Sequence, residues 1–276
     1  MRSDIYLSYV LLTPASENLQ CLFGSRQGAF TCAKGYSNVT IMRVSIHTAL
    51  LRPTLFIRPR PACLHARALV SSLSNKMDLR INQILDFWFG LSPATWFEES
   101  TEELDRKIRV QFTGMVKEAR ASKFDDTWST TPQGTLALLI LLDQFPRNIF
   151  RGSGESFTSD KHAQCIATRA ISKEYDRQIT SVPGGTLFHR LFFYLPLLHA
   201  EDLLSQVAAV ALAENLLGSC PPDAPERKFL DTSPSFMKRH RDCIAQLGRF
   251  PKRNAWLGRE STDEEIKFLD ENPGGF

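Results

Sequence analysis

From residue 78 onward, apolar side chains recur at helical spacing and nowhere settle into sustained alternation rich in β-branched residues. That single property excludes a sheet-based fold for this part of the chain and predicts a string of amphipathic helices. Ile81, Ile84, Leu85, Trp88 and Phe89 mark a first helix, and Gly90 stands where it would stop. A second is expected over 102–121, with Leu104, Ile108, Phe112, Met115, Val116 and Ala119 on one face. The run LALLILLDQF at 136–145 is apolar all round, so it belongs in the middle of a bundle, and Pro146 is expected to break it. Further helices are predicted over 160–172, 201–217, 236–247 and 263–269. The prolines at 221, 222, 225 and 234 mark an extended surface connection. Thr262 with Glu265 three residues on has the form of a capping box. The expected class is all-α: an array or irregular bundle of about seven or eight helices.

The charge divides the 276 residues unevenly. Residues 1–77 hold nine Lys/Arg and two acids, a net of +7; residues 78–276 hold 24 bases and 28 acids, a net of −4. No acid occurs between Glu17 and Asp78. An Arg-rich, Ser-rich, acid-poor stretch has the composition of an organelle transit peptide, which would send the chain to the mitochondrial matrix. Two other readings stay open: an extension ahead of a later start at Met42 or Met77, leaving a cytoplasmic protein, and a basic arm for nucleic acid or lipid. The overall charge of +3 gives no support to nucleic-acid binding by the domain. No apolar stretch reaches the ~18–20 residues of a membrane span. The six cysteines show neither CxxC nor zinc-ligand spacing, so no metal is expected. Phosphate-loop, dinucleotide, zinc-protease and nucleophile-elbow motifs are absent, and no cofactor is expected.

Polar residues gather in three places. LLDQFPRNIFRGS at 141–153 is echoed by QLGRFPKRNAWLGRES at 246–261, and the second copy carries an inserted Lys252. The echo would suit two related corners around one site. The first corner offers Asp143, Gln144, Arg147, Asn148 and Arg151; the second offers Arg249, Arg253, Asn254 and Arg259. Between them, LPLLHAEDLLSQ supplies His199, Glu201, Asp202 and Gln206. Arg forks pair with carboxylate or phosphate through two bonds, and His beside an acid can move a proton near neutral pH. Arg147, Arg253 and Arg259 are therefore candidates to hold an anion, and His199 with Glu201 is the candidate catalytic acid–base pair. The competing reading makes each corner a rigid turn whose Arg pairs with an acid of a neighbouring helix, Asp143 and Asp202 among them.

ILDFWFG at 84–90, Trp96-Phe97, GTLALLILLDQFPRNIFRG at 134–152, FFYLPLLHAEDLLSQ at 192–206 and GRFPKRNAWLGRESTDEEIKFL at 248–269 resemble the family catalogued as domain of unknown function 924. The resemblance covers about residues 80–276. It implies a tetratricopeptide-like array of helix pairs and places the family's polar signature on the thirteen residues just named. Two positions depart from the family pattern: Lys252 where His is usual, and Ala200 where Ser is usual. The resemblance implies no reaction. Two functions remain: a site for a small anionic molecule, or a scaffold that takes an acidic peptide in a concave groove. The oligomeric state is left open.

Overall fold

The computed structural model describes residues 78–97 and 101–273. The expected leader, 1–77, lies outside the described residues. Among these residues the chain is helical and forms no strand. Seven helices of eight or more residues carry the fold: α1 (Leu79–Phe89), α2 (Glu102–Arg120), α3 (Pro132–Leu139), α4 (Asp160–Ser172), α5 (Leu203–Ser219), α6 (Ser233–Leu247) and α7 (Asp263–Glu271). Shorter turns of helix connect them. No helix among the described residues is long and apolar enough to cross a membrane.

Helix starts obey local chemistry. Thr101, Thr131 and Thr262 each accept a backbone N–H from the first turn they precede. Thr262 and Glu265 close the reciprocal box expected from their spacing. Helix α5 begins at Leu203 rather than 201, because the Asp202 carboxylate caps the Ser205 N–H at 2.9 Å. Helix α6 begins at Ser233, three residues before the expected start. Pro234 sits in its first turn, where a missing N–H costs nothing, and so belongs to the helix rather than to the connection.

Helix α3 is the hub. Leu136–Leu139 are buried, and Phe145, just beyond, packs against Phe112 of α2 at 4.5 Å and Trp88 of α1 at 5.7 Å. Helices α5 and α6 pack side by side further along the chain. Pro146 does not end the hub, contrary to expectation. The backbone widens into a π turn, Ile140–Gln144, and continues as helix through Phe145–Ile149. Proline lacks the N–H that an α-helix would aim at the Leu142 carbonyl, and the wider turn absorbs that gap.

Two imidazoles are folded into apolar surroundings. His189 stacks on Phe89 at 3.7 Å, and burial pushes its pKa down to about 4. His240 lies between Phe236 and Phe250, and burial pushes it down to about 3. In the unfolded chain both protonate near 6.5. The unfolded state therefore takes up protons first, and the contribution to stability is fully present above about pH 6.5 and falls as pH drops toward 4. His240 contributes up to about 1.4 kcal/mol per pH unit in that window, and the more exposed His189 less. Urea unfolding at pH 7, 6 and 5 should show this decline, and His240→Phe should flatten it.

Candidate functional site

The π turn carries Asp143 into the interior, where its side chain is 1 % exposed. Its Oδ1 accepts from His199 Nδ1 at 2.8 Å and from Arg147 Nη2 at 3.2 Å, and the Gln144 amide donates to Oδ2. His199 ends a short helix, Leu195–Leu198, that opens with Pro196 in its first turn. The backbone on either side of His199 is clamped. The fully buried Gln206 amide donates to the carbonyls of Leu198 and Ala200, and Arg253 Nη2 donates to the His199 carbonyl at 3.0 Å. Gln206, a candidate ligand contact from its sequence, is thus a brace for the loop that presents His199.

The two echoed corners meet on a residue outside the expected set. Asp160, the first residue of α4, accepts Arg147 Nη2 on Oδ1 at 2.9 Å and Arg253 Nη1 on Oδ2 at 3.0 Å. The Phe157 ring lies against both guanidiniums, 5.6 Å from Arg147 and 4.6 Å from Arg253. The echo continues outward. Asn148 and Arg151 of the first corner bind Asp105 in α2, at 2.8 Å and 2.6 Å. Asn254 and Arg249 of the second bind Glu265 in α7, at 3.1 Å and 2.6 Å. Gly152 and Gly258 close the two corners with φ of +77° and +63°, a backbone region that side chains disfavour. Asn148, Arg151, Arg249 and Asn254 therefore fasten the corners to the fold.

Glu201 has a partner other than the one expected. Arg259 grips both its oxygens, at 2.8 Å and 3.0 Å, and the Phe250 N–H donates to it at 2.8 Å. The acid that pairs with His199 is Asp143. A cleft of about 310 Å³ opens over this assembly. His199, Glu201, Asp202 and Arg253 of the expected residues line it, joined by Asp160, Lys161, Gln164, Phe157 and Leu257. A hydrogen-bond chain runs along its wall from Lys161 Nζ to Gln164 (2.8 Å), from Gln164 to Ser205 Oγ (2.6 Å) and from Ser205 to Asp202 (2.6 Å). Gly154 seats the second corner on the first: a Cβ there would stand 2.6 Å from the Trp256 carbonyl.

The electrostatics come from burial and pairing. Burial would raise Asp143, but His199 and Arg147 outweigh it and hold the carboxyl well below the usual range, so it is ionised. Burial, and next the Arg147 charge, lower the His199 pKa against the pull of Asp143. The ring is neutral at neutral pH. Its Nδ1–H donates to the acceptor-only carboxylate, which leaves the lone pair on Nε2. Burial lifts Asp160 above its ordinary value; Arg147 and Arg253 pull it down, and the nearby Asp143 charge pushes it up. Burial lowers Arg253. Glu201 stays low because Arg259 and the Phe250 N–H overcome its burial. The three arginines expected to hold an anion are thus already matched, Arg147 and Arg253 by Asp143 and Asp160, and Arg259 by Glu201. Among the described residues, the cleft cation in contact with no carboxylate is Lys161. No cluster of three or more His, Cys, Asp or Glu suited to a metal ion occurs among the described residues.

Sequence reasoning missed Asp160, Phe157, Lys161 and Gln164. An acid at the first position of a helix reads as a dipole or capping residue. The echo alone held an unused signal for Asp160: two arginines at matched positions call for a shared partner.

Comparison with known proteins adds the lineage. No curated protein matches the chain. A solved structure titled "Structure of Protein of Unknown Function ATU0120 from Agrobacterium tumefaciens" is similar at 34 % identity and a TM-score of 0.60, over 70 % of this chain and 98 % of that one. The family described as "Bacterial protein of unknown function (DUF924)" matches residues 84–273, and the chain belongs to it.

Proposed function

We propose that the cleft over His199 binds a small molecule through an anionic group, a carboxylate or a phosphate, and that His199 with Asp143 is the acid–base pair facing it. The observation that carries this reading is that two separate sequence motifs line one small cavity, through His199, Glu201 and Asp202 and through Arg253, while the third supplies the buried Asp143 carboxylate that orients the neutral imidazole from behind. At about 310 Å³ the cavity has the dimensions of a small-ligand site. Lys161, without an acid in contact, supplies the positive charge that the paired arginines do not. A carboxylate–imidazole pair of this kind can take a proton from a bound molecule and return it.

Titration of the full chain with small carboxylates and with inorganic phosphate, followed by thermal shift, should raise the melting temperature, because a ligand that binds only the folded state stabilises it. Lys161→Ala should move the titration to about tenfold higher ligand concentration, the loss of one charge-assisted bond. Acidic peptides belong in the same titration. If they stabilise the chain and the small anions do not, the cleft reading gives way to a peptide-binding scaffold.

The charge arrangement makes a separate prediction. Asp160→Asn leaves the buried Arg253 guanidinium with a neutral partner and Arg147 with Asp143 alone, and loss of one member of a buried ionic set costs about 3–5 kcal/mol. Urea unfolding should show a loss of that order. Asp202→Asn should change stability by a few tenths, since asparagine caps a helix about as well.

A further inference from the structure

We infer that the ligand of this cleft is a hydroxy acid: a small carboxylate that also carries a hydroxyl, with the hydroxyl donated to His199 Nε2 and the carboxylate facing Lys161. The inference rests on the anion-binding reading and narrows it to one class of molecule.

The imidazole imposes the second group. The buried Asp143 carboxylate accepts at Nδ1 from 2.8 Å, so that nitrogen carries the proton and Nε2 carries a lone pair. No protein group among the described residues bonds to Nε2, and the His199 side chain, 18 % exposed, lines the cavity. A bare carboxylate or a fully ionised phosphate has only acceptors and would set lone pair against lone pair there. A molecule that satisfies both Lys161 and Nε2 needs an acceptor anion at one end and a proton donor at the other.

The donor is a hydroxyl rather than an ammonium. His199 itself stays neutral beside Asp143 because it is largely buried and Arg147 stands close by, itself bonded to the same Asp143 oxygen. The same desolvation and the same guanidinium penalise a cation placed on Nε2. Arg253, bonded to the His199 carbonyl at 3.0 Å, adds a second positive charge on that side. The acids nearby do not reverse this: Asp160 is taken up by two arginines, Glu201 by Arg259, and Asp202 by the N–H and hydroxyl of Ser205 in its helix cap. A neutral O–H makes the bond without that penalty.

The test is calorimetric titration of the full chain with butanoate, its 2-, 3- and 4-hydroxy derivatives, and 2-aminobutanoate. At least one hydroxy isomer should bind about tenfold more tightly than butanoate, the worth of one well-placed hydrogen bond. The amino acid should bind more weakly than that isomer. His199→Phe should abolish the hydroxyl advantage, bringing the best hydroxy isomer and butanoate to within about twofold of each other. If butanoate binds and no hydroxy isomer gains, or if the gain survives in His199→Phe, the hydroxy-acid assignment is overturned and anion binding stands. Tighter binding of 2-aminobutanoate than of any hydroxy isomer also overturns it. If no member of the series binds, both readings fall. Nitrogen NMR of wild-type chain keeps the question decidable should the variant not fold. His199 Nε2 should resonate as an unprotonated nitrogen and move on adding the hydroxy acid but not butanoate; a protonated Nε2 overturns the assignment.

Discussion

Everything around the cleft hangs on one carboxylate. Asp160 receives Arg147 on one oxygen and Arg253 on the other, and these two arginines come from corners 105 residues apart in sequence. Each arginine then does a second task. Arg147 reaches Asp143, which orients His199; Arg253 reaches the His199 backbone carbonyl. The imidazole is thus held at its ring and at its main chain by two arms of one ionic assembly. Paired charges of this kind are poor stabilisers by themselves, since desolvation absorbs most of the attraction. Well-packed leucines would hold the helices together about as well. They could not fix the tautomer of a histidine.

The helical class and most helix positions were legible because the chain keeps a 3.6-residue apolar period between clear punctuation. The 160–172 helix and the Thr262 box fall where the sequence places them. The errors have physical sources. Pro146 reads as a breaker, and the structure answers with a π turn, an option that periodicity cannot encode. Pro234 reads as a connection, yet lies in the first turn of α6.

For the site, the sequence identified the three motifs but not the division of labour within them. Charge and hydrogen-bonding type are visible in a residue's identity, whereas its partner is not. Glu201 stands two residues from His199 and suggests a pair, but the helix cap at Asp202 turns the chain so that Glu201 meets Arg259. Asp143 stands 56 residues away and is the actual partner. Arg and Asn in each corner read as ligand-binding groups, and four of the seven instead tie the corner to an acid near the start of α2 or α7. The corners are rigid turns held by neighbouring acids; the second contributes Arg253 to the lining of the cleft, and the first holds Asp143 behind His199.

The π turn explains why the buried acid is Asp143 in particular. An α-helical register through Ile140–Gln144 would advance each side chain by 100°, and the extra residue in the wider turn rotates the later side chains relative to the earlier ones. Leu136–Leu142 can then fill the core on all sides, while Asp143 and Arg147, four residues apart, still meet at 3.2 Å across the turn. The proline forces the irregularity, and the irregularity lets an apolar hub deliver a carboxylate to a polar cavity. A residue that breaks the local helical rule is thereby the reason that the most buried helix of the fold also holds the anchor of its candidate site.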